Sequence, residues 1–373
     1  MNIKQSTSMK TIFFAHSVNV IGGAERVTLS VLNCLKEKYH CVFLSPEGNN
    51  LGKEASTSGA TFEPIKALQP ELSKPIQSAL QLIQYYRIFK RHKPSLVYTG
   101  DLLALRSLQP ICKFLSIPLV CHVHYPYEEG FMKWALKKRY SPAAFIFCSH
   151  ELKEKLSVTL NKLCPTSHMH VIHNGVNTTQ FPALPAPKNL IPHIGIIANL
   201  QFRKGHDDFL KMAQILTQKG VDAHYDIIGG DILQEPRETY LKELADDLEV
   251  SDRVTFHGQL SNVKSALTKL DIYVCASHEE AFPISLLEAM SAQKSIVSTN
   301  VNGIPEMLKH GYTALLSDKE DPLTLSKNVE LLLNDSELSA RLRNNCRKEA
   351  VTRFDISLFE ANISQILEEL VID

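Results

Sequence analysis

The feature that most constrains this chain is a regular alternation of short, unbroken apolar runs with longer stretches that are apolar at helical spacing. In the first half the strand-like runs are Thr11–His16, Cys41–Leu44, Leu96–Thr99, Leu119–Val123 and Ala144–Cys148. Between them lie the amphipathic stretches Ala24–Lys38, Ile76–Arg91, Ala104–Phe114, Met132–Lys138 and Glu151–Leu160. Apolar runs without polar alternation belong to strands buried on both faces, the habit of parallel sheets covered by helices. The pattern stops at the Pro-rich, aperiodic segment Pro182–Asn189 and then restarts. Strands Ile194–Ala198, His224–Ile228, Val254–His257, Ile272–Cys275 and Ser295–Thr299 now interleave with helices Asp207–Lys219, Glu235–Leu248, Val263–Thr268, Phe282–Ala292 and Leu323–Leu333. Ser339–Val351 and the apolar-periodic Ile356–Leu370 complete the chain. The expectation is two doubly wound α/β domains, 1–183 and 191–353, joined by a linker at 184–190, with a C-terminal helix in 354–373 that can pack back on the first domain. A length of 373 residues suits two domains of roughly 150–190 residues each.

Charge narrows the partners. Lys+Arg and Asp+Glu both number 40, so no overall field favours nucleic acid, and any anion site must be local. The eight cysteines are scattered without a CxxC pair and read as thiols of a reducing, cytoplasmic setting rather than as disulfides or a zinc site. No apolar run approaches the roughly 20 residues of a membrane span. The apolar stretch Ile12–Ala15 ends at His16 and reads as a strand, not a signal peptide, and Met9 can serve as an alternative start that leaves Met1–Ser8 as an extension.

In open parallel sheets ligands gather beyond the carboxyl ends of the strands, and the informative residues of this chain cluster there. Gly22-Gly23-Ala24-Glu25 follows the first strand and opens the first helix, where paired glycines let backbone amides approach a phosphate. The spacing is not GxGxxG, which disfavours a dinucleotide cofactor and a dehydrogenase. Arg203 and Lys204, next to Gly205, follow the first strand of the second half and suit a diphosphate. The most specific motif is Glu279-Glu280-Ala-Phe-Pro-Ile-Ser-Leu-Leu-Glu288. Glu280 precedes a helix and Glu288 lies about two turns inside it, roughly 12 Å along at helical rise. That span suits a grip on two hydroxyl-bearing ends of one ligand better than a glycosidase dyad, whose carboxylates stand about 5–10 Å apart. Between them the amides of Phe282, Ile284 and Ser285 (Pro283 has none) are placed for a diphosphate.

Taken together, these motifs resemble glycosyltransferase family 4, retaining enzymes of the GT-B fold with two Rossmann-like domains facing across a cleft. The likeness covers nearly the whole chain. It rests on Gly22-Gly23-Ala24-Glu25, on the strand Ile117–His124 ending in a histidine, on Val171–Asn177 with Phe181, on Lys204-Gly205, on Glu280 and Glu288, and on Asn302-Gly303-Ile-Pro-Glu306 with Gly311. The resemblance implies that Lys204 neutralises the donor diphosphate, Glu288 holds the ribose hydroxyls and Glu280 lies near the donor sugar and the reacting centre. It also implies that His124 contacts the sugar and that Gly22 and Gly23 approach the diphosphate. His122, two residues before His124, points to the same face of a strand, so position alone does not choose between them. One departure stands out: the family's arginine five residues before the lysine is here Asn199, and Arg203 is the candidate second cation. Base and sugar selection would rest on pocket shape around Gly258, Ala281 and Pro283.

The reaction expected is transfer of a sugar from a nucleotide-sugar donor to an acceptor hydroxyl, with retention, in cell-surface polysaccharide, lipopolysaccharide or glycolipid synthesis. The chain has no Asp-rich metal motif, so no metal and no cofactor beyond the donor are expected. The alternatives are a nucleotide-sugar epimerase of the same fold and a non-catalytic partner protein that binds nucleotide sugars. The acceptor is expected to be carbohydrate or lipid-linked. Phe131–Tyr140 mixes four cations with the only Trp and suits an anionic membrane surface, or equally a solvated helix whose apolar residues face the core.

Overall fold

The computed structural model describes residues 9–18, 21–48, 50–65, 74–136, 141–185, 189–231, 236–260 and 262–371. The chain forms two units, one made of Met1–His173 with Phe359–Asp373 and the other of Asn174–Leu358. The division falls before Asn174 rather than after Ala183, for local reasons. Asn174 Nδ2 donates to Phe282 O at 2.9 Å, and Val176 N donates to Phe354 O at 2.8 Å. Ser291 Oγ donates to Phe181 O at 2.7 Å, and Leu184 N to Ala292 O at 3.1 Å. The segment before the Pro-rich tract is thus tied to the second unit. Residues 186–188 of that tract and Met1–Ser8 lie outside the described residues.

The first unit is a seven-stranded parallel sheet: β1 (Thr11–Ala15), β2 (His40–Ser45), β3 (Thr61–Pro64), β4 (Pro94–Thr99), β5 (Leu119–Val123), β6 (Ala144–Phe147) and β7 (His168–Val171), in the order β3-β2-β1-β4-β5-β6-β7. Every residue of β1, β5 and β6 is buried, as their unbroken apolar runs demand. The edge strands β3 and β7 carry no such run and are partly exposed, so nothing in the apolar pattern announces them. Strand order reverses between β1 and β4, the switch point at which doubly wound sheets open a crevice. The last helix, Ile356–Leu370, buries Phe359, Ile363 and Leu367 on one stripe. In this unit Lys38 Nζ pairs with Glu368 at 2.7 Å and Cys34 Sγ lies 3.1 Å from Ser364 Oγ.

The second unit is a six-stranded parallel sheet: β8 (His193–Ile197), β9 (His224–Ile228), β10 (Val254–Gly258), β11 (Ile272–Cys275), β12 (Ser295–Thr299) and β13 (Leu315–Ser317), in the order β10-β9-β8-β11-β12-β13. Its switch point lies between β8 and β11. The core joins Ile194 and Ile196 of β8 to Phe209 and Met212 of the helix His206–Gln218 and to Leu325 and Val329 of the helix Pro322–Asn334. The eight cysteines are free, and all but Cys34 are buried. Among the described residues no helix is long and apolar enough to cross a membrane.

Candidate functional site

In the second unit the two strands flanking the switch point, β8 and β11, each deliver one charged group to the same place. Chain leaving β8 makes a single 3-10 turn, Phe202–Lys204, before Gly205 starts the next helix. Gly205 has φ +69°, and a Cβ there would lie 1.9 Å from the carbonyl oxygen of Ala276, just past β11. Only glycine allows the two strand exits this close. The closeness sets Lys204 Nζ 2.5 Å from Glu280 Oε1, an ion pair whose side chains are 14% and 7% exposed. Ser277 Oγ donates to the same carboxylate oxygen at 2.9 Å, and the Glu280 backbone is held by Asn302 Oδ1 (3.4 Å) and by Gly303 N (3.0 Å). On a 3-10 turn successive side chains point about 120° apart, so Arg203 is directed away from Lys204.

The helix carrying Glu288 starts at Ile284, two residues later than expected. Pro283 is its N-cap, in extended conformation, and Phe282 is turned inward, with 4% exposure and an edge contact to Phe354 at 5.5 Å. Glu288 therefore lies a little over one turn into the helix, not two, and helical rise does not measure its separation from Glu280. The amides left open are those of Ile284, Ser285 and Leu286; the Phe282 side chain belongs to the core. Glu288 is buried, and together with Glu280 it adds to the effect of burial in raising the Tyr273 hydroxyl well above its ordinary pKa. Tyr273 itself bonds Ser285 at 3.0 Å. Gly258 ends β10 with φ +64°, where the register with β9 shifts.

In the first unit Gly22 is the N-cap of the helix Gly23–Leu35, and its N–H donates to Glu25 Oε2 at 2.9 Å. Gly23 is exposed. His124 stands one residue past β5, and His122 within it. Their rings share a face, with centroids 4.1 Å apart. His122 Nδ1 is bonded to the Tyr98 hydroxyl at 2.6 Å, so this histidine is committed to the core. Burial pushes His122 down to about 3 and His124 well below 6.5, so both are neutral at pH 7. The Nε2 atom of each is buried without a hydrogen-bond partner among the described residues. His16, Asp101 and Thr28 form a polar cluster at the switch point beside the glycine loop, and neither their sequence neighbourhoods nor that of Ser277 mark them as site residues. Asp101 alone has a legible signal, an N-cap residue directly after a strand. Within either unit taken alone, no three His, Cys, Asp or Glu side chains among the described residues converge on one point. Of the basic stretch Phe131–Tyr140, residues 137–140 lie outside the described residues.

Two Rossmann-like units, each with polar side chains gathered at its switch point, define the GT-B class of fold. The chain matches Glycosyltransferase Family 4 over residues 21–180 and Glycosyl transferases group 1 over residues 180–349. It is 26% identical over 308 residues to a component of the phosphatidylinositol N-acetylglucosaminyltransferase of Homo sapiens, covering 79% of this chain and 62% of the relative. It is 26% identical over 242 residues to the N,N'-diacetylbacillosaminyl-diphospho-undecaprenol alpha-1,3-N-acetylgalactosaminyltransferase of Campylobacter jejuni, covering 61% and 60%. Both matches span less than two thirds of the relative. The crystal structure of Anabaena HepE with UDP and glucose superposes with a TM-score of 0.83 at 18% identity, over 97% of this chain and 100% of that one. The chain belongs to glycosyltransferase family 4, the glycosyl transferases group 1.

Proposed function

We propose that this protein transfers a sugar from a nucleotide-sugar donor to an acceptor hydroxyl, with retention of configuration and without a metal. The observation that carries this reading is the shielded Lys204–Glu280 pair at the switch point of the second unit. A diphosphate would replace the carboxylate as counter-ion to Lys204, and the open amides of Ile284, Ser285 and Leu286 are the natural donors to its oxygens. Release of Glu280 from the lysine frees a carboxylate, already oriented by Ser277, to face the donor sugar. Glu288 accepts the ribose hydroxyls. Neutral His124 is the sugar contact from the first unit, as a hydrogen-bond partner and not as a cation. The leaving diphosphate carries the developing charge, and Lys204 stabilises it; a departing phosphate oxygen takes the acceptor proton in a front-face reaction.

The acceptor in this proposal is lipid-linked or saccharide, within cell-surface polysaccharide, lipopolysaccharide or glycolipid synthesis, as the names of the human and Campylobacter relatives suggest. Peripheral association with an anionic membrane is supported by the helix Pro75–His92, which contains no acidic residue. Ile76, Leu80 and Ile83 are 78%, 63% and 47% exposed, and the same stripe continues to exposed Arg87 and Lys90. A thermal-shift screen against UDP-, GDP-, ADP- and CMP-sugars, with and without chelator, tests the donor reading. One nucleotide class should raise Tm equally in both conditions and fail to do so for Lys204→Ala. No shift with any donor, or a shift abolished by chelator, would overturn it.

A further inference from the structure

His16 ends β1 and is completely buried, yet its ring is surrounded by groups that want protons from it. Nδ1 lies 3.3 Å from Asp101 Oδ2 and 3.6 Å from Glu25 Oε1, ion-pair distances to two carboxylates. Nε2 lies 2.8 Å from Thr28 Oγ1, and that hydroxyl donates its single proton to Ala24 O at 3.2 Å. Thr28 therefore presents a lone pair to Nε2, and the carboxylates present only acceptors to Nδ1, so both ring nitrogens carry hydrogen. The ring packs directly on Gly100: a Cβ at that position would fall 1.9 Å from Nε2. Each carboxylate is in turn bonded to backbone that shapes the switch point. Glu25 accepts the Gly22 N–H at 2.9 Å, and Asp101 accepts the Ser17 N–H at 2.8 Å and the Ala104 N–H at 2.7 Å.

We propose that His16, held as an imidazolium between Glu25 and Asp101, is a positioning residue that ties the glycine loop and the start of the helix Leu102–Phe114 to the end of β1. The proposal rests on the donor reading above only for its consequence, that the Gly22-Gly23 turn meets a diphosphate in the geometry His16 sets. The charged and titratable groups facing the ring are Glu25, Asp101, His122 and His124, with the Tyr98 hydroxyl and its partner His122 beyond Thr28. Burial pushes His16 down, but Asp101 and Glu25 outweigh burial and leave it above 6.5. The resulting positive charge is one reason, after burial, that His122 and His124 stay neutral. A raised folded-state pKa means that the stabilisation is complete below 6.5 and is lost as pH climbs through the folded value.

The test needs no donor. Nitrogen-15 NMR of the histidine rings should show both nitrogens of His16 protonated at pH 7, titrating above 6.5. Amide exchange, corrected for intrinsic rates, should show the Ser17 and Gly22 protection factors falling about tenfold or more as His16 deprotonates, the linkage of one pKa unit. Amides of β6 should stay unchanged. In His16→Gln that step should vanish, with protection at both sites low throughout. In Glu25→Gln, Gly22 alone should loosen while Ser17 keeps its bond to Asp101. A neutral His16 at pH 7, or Ser17 and Gly22 protection that ignores pH and both substitutions, would overturn the proposal. If His16→Gln does not fold, the wild-type titration and Glu25→Gln decide. A normal His16 step in a protein that binds no nucleotide sugar would sink the donor reading and leave this one standing.

Discussion

Glu280 and Glu288 look alike in sequence and differ in what holds them. Glu280 is an ion-pair partner with a serine on the same oxygen, whereas Glu288 sits on a helix beside Tyr273. Because a diphosphate can take over as the counter-ion of Lys204, Glu280→Ala should leave nucleotide binding within about 1 kcal/mol while abolishing transfer. Glu288→Ala removes a charged acceptor and should weaken nucleotide binding by about 1.5–3 kcal/mol. Isothermal titration beside a transfer assay separates the two; equal effects on both readouts would refute the division of roles. A second residue-scale prediction concerns Lys294, buried with its ammonium on Leu270 O at 2.9 Å. Burial, with Arg343 nearby, pushes it down to about 8. The unfolded chain then binds more protons between about 8 and the ordinary lysine value, so wild-type stability gains from Lys294 as pH rises through that window. Lys294→Met should be stabilising relative to wild type near pH 7, by on the order of 3 kcal/mol before its lost hydrogen bond is counted. That advantage should shrink toward pH 10.5; a melting-temperature difference constant across the range would contradict it.

At the scale of elements, function is concentrated where strands end. The β8 exit can place Lys204 against the β11 exit only because Gly205 is left-handed and lacks a Cβ. Gly205→Ala combines left-handed backbone strain with a clash against a main-chain carbonyl and should cost about 2–4 kcal/mol in chemical denaturation. It should also lower donor affinity by separating Lys204 from Glu280; a fully stable variant with unchanged binding would show the close approach to be dispensable. Element starts are less legible than element identity. Apolar spacing places the helix after Glu280 too early because its apolar residues run back through Phe282, which in the fold is a core side chain of the preceding loop. The edge strands β3 and β7 escape the same pattern because a half-exposed edge does not need an unbroken apolar run.

For the whole molecule, the exposed stripe of the helix Pro75–His92 predicts selective binding to anionic vesicles. Ile76→Ser/Leu80→Ser should reduce co-sedimentation, and Arg87→Ser/Lys90→Ser should cost about 1 kcal/mol per charge removed and erase the preference for anionic lipid. Equal binding to neutral vesicles, or none to either, would remove that surface from the proposal. The architecture itself, two doubly wound units divided near a proline-rich break, is readable from the chain because strands buried on both faces and amphipathic crossovers leave a periodic apolar record. So is the identity of the charged residues after the strands. What the record cannot hold is which of those groups meet. The contact of Lys204 with Glu280, the tying of residues 174–184 to the second unit and the enclosure of His16 by Asp101 and Glu25 join positions far apart in the chain. Such contacts depend on strand order and on the depth at which a turn is buried. Hydrophobic spacing is a property of neighbours in sequence, whereas charge pairing and protonation depend on neighbours in space.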